Sequence, residues 1–142
     1  MPSNVSESTA RPERLILIVE HDEGTVATYA RMLCLGGFTV LTAFSAEAGL
    51  REIESSRPDA ILVDFLMPDI DGLEFLRRLR TREEHRSIPV AIVTGGYFPD
   101  DIIKTTLREL GAEVVFKPLW LDDLANLVRR LVNSVDDREP SL

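Results

Sequence analysis

Cysteine and positive charge are both scarce in this chain of 142 residues. Its one cysteine, Cys34, excludes an internal disulfide and any cysteine-rich metal site. Lysine and arginine number 16 against 24 acidic residues, which gives a formal net charge of −8. Because binding to nucleic acid or to an anionic membrane surface depends on positive charge, we expect neither as a partner.

Long apolar stretches are also missing. No run approaches the roughly 20 apolar residues that a helix needs to cross a bilayer. The opening residues, MPSNVSESTARPER, contain no apolar segment of the kind that a secretory signal requires. We therefore expect a cytoplasmic protein without a membrane partner, and its 44% hydrophobic residues are enough for one folded domain.

Two terminal segments differ in composition from the rest of the chain. Residues 1–13 are rich in serine, proline and charge and show no periodicity, and residues 134–142 are similar. Such segments cannot bury enough apolar surface to fold by themselves. The composition predicts flexible tails at 1–13 and 134–142 that flank one domain at 14–133.

Between the tails, short apolar runs alternate with amphipathic segments. The runs are hydrophobic throughout, which is typical of parallel strands buried on both faces, and they lie at 15–19, 38–42, 60–63, 89–93 and 114–116. The spacing of apolar residues predicts helices at 23–35, 46–53, 72–80, 100–110 and 121–132. The repeated βα order favours a doubly wound α/β fold, with a five-stranded parallel sheet in the order 2-1-3-4-5 and helices on both faces.

Polar side chains follow the predicted strands where each strand ends. They are Glu20, His21 and Asp22 after the first strand, Asp64 after the third, Thr94 after the fourth and Lys117 after the fifth. Each residue alone fits a turn former, a helix cap or a surface charge equally well. Together they place carboxylates for a cation such as Mg²⁺ beside a hydroxyl and an ammonium that suit phosphoryl oxygens. The combination indicates a phosphoryl-transfer site with a carboxylate nucleophile.

Four segments carry a resemblance to a known family, and they lie between about residues 14 and 132. They are LILIVEHDE, ILVDFLMPDIDGLEFLRRLR, PVAIVTGG and VVFKP. On these motifs the chain resembles the response-regulator receiver domain, the phosphoacceptor module of two-component signalling. The resemblance implies a histidine kinase or histidine phosphotransfer protein as phosphodonor, an output protein that reads the signal, and homodimers as a possible assembly.

The resemblance also implies roles for individual residues. Asp64 matches the phosphorylated aspartate, Thr94 the hydroxyl that contacts the phosphoryl group, and Lys117 the lysine that pairs with it, before a proline bond that is usually cis in the family. Glu20 matches an acid that acts on Mg²⁺ through water, and Asp64 and the carbonyl of Leu66 match direct ligands. Such a receiver assists its own phosphorylation and dephosphorylation and is not an enzyme acting on a separate substrate.

His21 is the first departure from the family pattern, because it occupies the position of an acid that normally binds Mg²⁺ directly. Neutral imidazole is a poor ligand for a hard cation, so we expect weak Mg²⁺ binding. Asp22 is an alternative donor, although strand alternation points it to the opposite face. Two further interpretations stay open, which are a preference for a softer divalent ion and a surface histidine without a role.

Val114 is the second departure, since the family has an aromatic switch residue there and valine cannot report a state by ring rotation. Together with His21 it favours an alternative function, that of a degenerate receiver that is not phosphorylated and acts as a protein-interaction module. Away from the site, we expect Cys34 to be a small packed side chain and His85, in the charged segment TREEHRS, to be exposed.

Overall fold

The apolar runs form the strands of one parallel sheet. The computed structural model describes residues 13–96 and 101–138. Its strands are β1 Leu15–Val19, β2 Thr39–Ala43, β3 Ala60–Asp64, β4 Val90–Thr94 and β5 Ala112–Phe116. Its helices are α1 Glu23–Leu35, α2 Ala46–Ser56, α3 Gly72–Arg80, α4 Asp101–Glu109 and α5 Leu121–Arg138, with a short 3₁₀ turn at Glu83–His85.

The strand order is β2-β1-β3-β4-β5, which confirms the predicted doubly wound topology. All neighbouring strands run parallel, and Val19 at the end of β1 pairs with Val63. At the same end of the next two ladders, Asp64 pairs with Val93 and Thr94 pairs with Phe116. The polar residues that end these strands therefore share the carboxyl edge of the sheet.

Alternate residues of each strand enter two separate cores. Leu17 and Val19 of β1 pack in the core that includes residues of α2, α3 and α4. Ile16 and Ile18 pack in the core that includes residues of α1 and α5. Because every strand is apolar on both sides, the sheet is covered on both faces, as the continuous hydrophobic runs predict.

Three helices begin at side-chain caps that the sequence contains. Asp22 accepts a hydrogen bond from the backbone of Thr25 at the start of α1, and Ser45 accepts one from Ala48 at the start of α2. Asp71 caps α3 in the same way. Each cap satisfies a backbone N–H that has no partner within the helix.

The last helix corrects one of our domain boundaries. We expected a flexible tail from residue 134, but α5 continues to Arg138. Its apolar stripe reaches Leu131 and Val132, and the Ser134 hydroxyl donates to the carbonyl of Leu131. The helix can continue beyond residue 134 because the sequence has no glycine or proline between its start and Pro140. The expectation is wrong for 134–138, whereas residues 1–12 and 139–142 of the two expected tails lie outside the described residues.

The burial of two side chains is the opposite of what we expected. His85 is buried, because the 3₁₀ turn that connects α3 to β4 directs its side chain inward. Cys34 is exposed, since it follows the fully buried Leu33 and falls on the outer side of α1. Both errors arise from reading average polarity where the position on a short turn or helix decides burial.

Within residues 13–96 and 101–138, no helix has both the length and the apolar character that a bilayer crossing requires.

Candidate functional site

The carboxyl ends of three strands bring two acids and one base together. Glu20 follows β1, Asp64 ends β3 and Lys117 follows β5. The Lys117 Nζ lies 3.4 Å from Glu20 Oε1 and 3.4 Å from Asp64 Oδ2. Glu20 is 2% exposed and Asp64 is 7% exposed, so two buried carboxylates share a single ammonium group.

The electrostatics of this group are unbalanced. Burial and the neighbouring Glu20 charge raise the pKa of Asp64, although Lys117 acts in the opposite direction. Burial by itself lowers the pKa of Lys117, but Asp64 and Glu20 outweigh burial and raise it. A site with one more buried negative charge than positive charge attracts a cation.

Backbone hydrogen bonds hold these side chains in place. The Glu20 N–H donates to the carbonyl of Ala43 at 3.0 Å, and Glu20 Oε2 accepts from the N–H of Asp22 at 3.0 Å. The Lys117 N–H donates to the carbonyl of Thr94 at 2.7 Å, next to a cis bond between Lys117 and its proline. The geometry is thus fixed by the sheet itself and by the first residues beyond it.

Thr94 ends β4 at the same edge of the sheet. Its side chain is 1% exposed, and its Oγ1 accepts from the N–H of Gly96 at 3.4 Å. Gly96 has a φ of +104°, a conformation that a side chain would strain. The turn after β4 therefore folds back over the Thr94 hydroxyl.

His21 places an imidazole nitrogen beside the two carboxylates. Its Nδ1 lies 3.4 Å from Glu20 Oε2 and 3.9 Å from Asp64 Oδ2. Ligand atoms of Glu20, His21 and Asp64 all lie within 4.8 Å of one another, and no other group of this kind occurs in the described part of the chain. The carboxylates suit a hard cation such as Mg²⁺, but the imidazole does not.

Asp22 is not part of this group. Its Oδ2 accepts from the N–H of Thr25 at 2.9 Å and from the Thr25 hydroxyl at 2.8 Å, and these bonds lower its pKa. The cap of α1 thus occupies the side chain that we considered as a substitute metal ligand. Leu66 has an exposed side chain and an N–H that donates to Asp64 Oδ1 at 3.4 Å. The role of its carbonyl toward a metal stays a prediction.

Val114 is half-buried in β5, opposite Ile92, and packs against the core beside α4. An aromatic ring occurs two residues later on the same side of the strand, at Phe116, which is 45% exposed. The Lys104 Nζ lies 5.4 Å from the centre of that ring. The effect of Val114 on signalling stays a prediction.

Asp69 holds the loop that follows Asp64, and the sequence did not predict this role. Its two carboxylate oxygens accept from the N–H groups of Ala46 at 3.1 Å and Glu47 at 2.9 Å, which ties the loop after β3 to the start of α2. Burial alone raises its pKa, but these backbone bonds outweigh it and lower the pKa. The sequence signal was an acid within MPDIDG, and no spacing rule shows that it reaches another helix.

The sheet order and the acidic carboxyl edge define a class, that of doubly wound α/β proteins with a polar site at the topological switch point. The more specific assignment follows from comparison with known proteins. The model of the response regulator receiver domain matches residues 16–129. The chain belongs to this family.

Curated relatives extend beyond the region that matches. The chain is 33% identical over 118 residues to the transcriptional regulatory protein PrrA of Mycobacterium tuberculosis, covering 82% of this chain and 49% of PrrA. It is 32% identical over 120 residues to the response regulator MprA of Mycobacterium ulcerans, with the same coverage of 82% and 49%. The chain thus spans about half the length of these relatives.

Solved structures agree with the fold. A signal receiver domain of a histidine kinase from Syntrophus aciditrophicus superposes with a TM-score of 0.76 at 30% identity, covering 91% of this chain and 96% of that one. A CheY-like receiver domain from Methanospirillum hungatei gives a TM-score of 0.80 at 24% identity, covering 89% and 98%, which supports the fold alone.

Proposed function

We propose that Asp64 accepts a phosphoryl group from a phosphohistidine of a histidine kinase or of a histidine phosphotransfer protein. One observation carries the proposal, namely the buried Asp64 carboxylate 3.4 Å from the Lys117 ammonium at the carboxyl edge of the sheet. Membership in the receiver family supports the same chemistry.

The transfer step needs an accessible carboxylate oxygen and a stabilised phosphoryl group. An oxygen of Asp64 attacks the donor phosphorus, and an O–P bond forms while the N–P bond breaks. The donor nitrogen keeps the electron pair, and the ring leaves as neutral imidazole because its other nitrogen carries a proton. Hydrolysis reverses the state when water attacks the same phosphorus, which releases inorganic phosphate and the Asp64 carboxylate.

Positive charge at the site is what such a step requires. Phosphorylation adds about −1.5 to −2 charge to an edge that already carries excess negative charge. The raised pKa of Lys117 keeps its ammonium charged to balance the phosphoryl oxygens. The buried Thr94 hydroxyl, at the end of the neighbouring strand, is the group that we expect to contact the phosphoryl group.

A divalent cation is the remaining source of positive charge. Glu20, Asp64 and the carbonyl of Leu66 are the groups that would hold it, and we expect Mg²⁺ to bind weakly because His21 stands beside them. When bound, the cation supplies countercharge for the transferring phosphoryl group.

Intact mass measurement tests the proposal. We expect the protein to gain the mass of one phosphoryl group when it is incubated with a small phosphodonor and a divalent cation, and the Asp64→Asn variant to gain none. The matched control is Asp71→Asn in the same loop, since asparagine also caps a helix and α3 should persist. Absence of a donor-dependent gain in the wild type would sink the proposal.

A second candidate is a receiver that is not phosphorylated and works only as a protein-interaction module. His21, placed 3.9 Å from Asp64, is the observation that favours it. The contacts of Lys117 with both carboxylates weigh against it, because an interaction module has no need for them. The mass measurement separates the two candidates directly.

The proposal also covers how the phosphorylated state is passed on to other proteins. We expect signalling through contacts with another protein, homodimers among the possible assemblies, and hydrolysis of the acyl phosphate assisted by the site itself. Because Val114 lacks a ring, we expect phosphorylation to change the surface near β5 less than in receivers with an aromatic residue there.

A further inference from the structure

We propose that this edge of the sheet selects a divalent transition ion over Mg²⁺, with the His21 Nδ1 as a direct ligand. The biological meaning of the preference rests on the proposed function, whereas the preference itself can be measured with no phosphodonor present. The site offers two carboxylates and one imidazole, whereas a hard cation such as Mg²⁺ prefers oxygen ligands only.

The geometry suits one ion shared by three side chains. Two ligands, each about 2.1 Å from a zinc-sized ion, lie about 3.4 Å apart at a tetrahedral angle and about 3.0 Å apart at a right angle. The His21 Nδ1 lies 3.4 Å from Glu20 Oε2 and 3.9 Å from Asp64 Oδ2. A shift of about half an ångström by the exposed imidazole brings both nitrogen–oxygen distances into this range, and the ligand oxygens of Glu20 and Asp64 lie within 4.8 Å of each other.

Burial fixes the two oxygen ligands and leaves the nitrogen ligand adjustable. The side chains of Glu20 and Asp64 are 3% and 7% exposed, whereas that of His21 is 49% exposed. The Lys117 ammonium, on a flexible stem, can withdraw from the carboxylates when a cation replaces its charge. His21 can therefore turn toward an ion without disturbing the core.

The chemistry of the ligand atoms decides which ion binds more tightly. Mg²⁺ takes oxygen ligands and gains little from imidazole, while affinities of nitrogen sites rise from Mn²⁺ through Co²⁺ and Ni²⁺. An aspartate in place of His21 would instead supply a third carboxylate and favour Mg²⁺. The identity of this one residue should thus set the order of metal affinities.

Two other soft ligands in the chain must be separated from His21. Cys34 is exposed near the end of α1, and His85 is buried beside the amino end of β4. The chain contains only two histidines, so each imidazole can be followed individually. A protein without a histidine tag is needed for the same reason.

The experiment compares Co²⁺ with Mg²⁺ at one fixed pH, using visible absorption of bound Co²⁺ and competition by Mg²⁺. We expect Co²⁺ to bind at least about ten-fold more tightly than Mg²⁺. In His21→Asp we expect that ratio to fall about ten-fold or more, while Cys34→Ser leaves it unchanged. Traces of Mn²⁺ should broaden the imidazole resonances of His21 and spare those of His85.

Several outcomes would overturn the proposal. They are an unchanged ratio in His21→Asp, loss of Co²⁺ binding in Cys34→Ser, broadening of His85 but not His21, or no Co²⁺ binding at all. Circular dichroism confirms that the variants fold, as substitution of an exposed side chain allows. Metal preference and phosphorylation fail independently, because no phosphodonor enters this titration.

Discussion

The two edges of the sheet hold their charged side chains in different ways. At the amino edge, the Arg80 Nε donates to the carbonyl of Leu110 at 2.8 Å, and its Nη1 donates to the carbonyls of Ile88 at 2.9 Å and His85 at 3.0 Å. This guanidinium thereby ties α3 to residues 85–88 and to Leu110 through three backbone carbonyls. At the carboxyl edge, Glu20 and Asp64 share the single charge of Lys117.

The difference is between a charge that stabilises the fold and a charge that costs stability. Arg80 finds acceptors that suit its fork of donors, so the amino edge gains stability. Asp64 has a raised pKa, which means that its ionised form costs folding free energy. Perturbed groups of this kind concentrate at sites where chemistry needs them.

Removal of Arg80 should have the largest effect on stability. We expect Arg80→Ala to lower the free energy of unfolding by about 3 kcal/mol, because three carbonyl acceptors lose a charged donor. Urea denaturation measures the change. The control is Arg77→Ala on the exposed side of the same helix, for which a change within about 0.5 kcal/mol is expected. Equal losses in the two variants would show that the amino edge is not special.

Substitution of Lys117 should have the second-largest effect on stability. We expect Lys117→Met to lower the free energy of unfolding by about 2 kcal/mol at pH 7, a value already reduced because the lysine is partly exposed. Without the ammonium the pKa of Asp64 rises further, so the loss should grow as the pH rises above the ordinary value of 3.8 and shrink in acid. A pH-independent loss would mean that lost packing, rather than unbalanced charge, explains the variant.

Asp64→Asn should act in the opposite direction. A raised pKa in the folded state means that ionised Asp64 destabilises the fold above that pKa and has no effect below the ordinary value of 3.8. We expect the variant to be about 1 kcal/mol more stable than wild type near pH 7 and equal to it in acid. Denaturation curves at several pH values check both the sign and the trend, and a destabilised variant at neutral pH contradicts it.

Asp69 should give the smallest effect. Its lowered pKa stabilises the fold above the ordinary value of 3.8, and this contribution is lost as the pH falls through the folded-state pKa. We expect Asp69→Ala to cost about 0.5 kcal/mol at neutral pH, since solvent screens this exposed bond to α2. Asp69→Asn, which keeps one oxygen acceptor, should lose less.

Much of the fold could be predicted because its determinants are local and periodic. The strand runs and the glycine after Leu35 are visible in the chain. Right-handed βα crossovers leave few topologies, and the strand order predicted was the common one for five βα units. The end of α5 could not be predicted, because the polar composition from Ser134 onward is typical of a tail, whereas the helix continues to Arg138.

The site was partly predictable for a different reason. Residues directly after strands must meet at one edge, so the proximity of Glu20, Asp64 and Lys117 could be expected. The bonds from Asp69 to α2 and the burial of His85 depend on loop paths that have no period. The sequence leaves open whether Asp22 faces the site or caps α1, because both arrangements use local bonds, and in the structure it caps α1.

One measurement combines the proposed chemistry with the difference made by His21. It is the rate at which intact mass rises with a small phosphodonor, compared between Mn²⁺ and Mg²⁺. We predict faster phosphorylation with Mn²⁺ in the wild type, the reverse order in His21→Asp, and no gain in Asp64→Asn. A wild-type protein that gains no phosphoryl group with either ion would contradict the assignment of Asp64 as the acceptor.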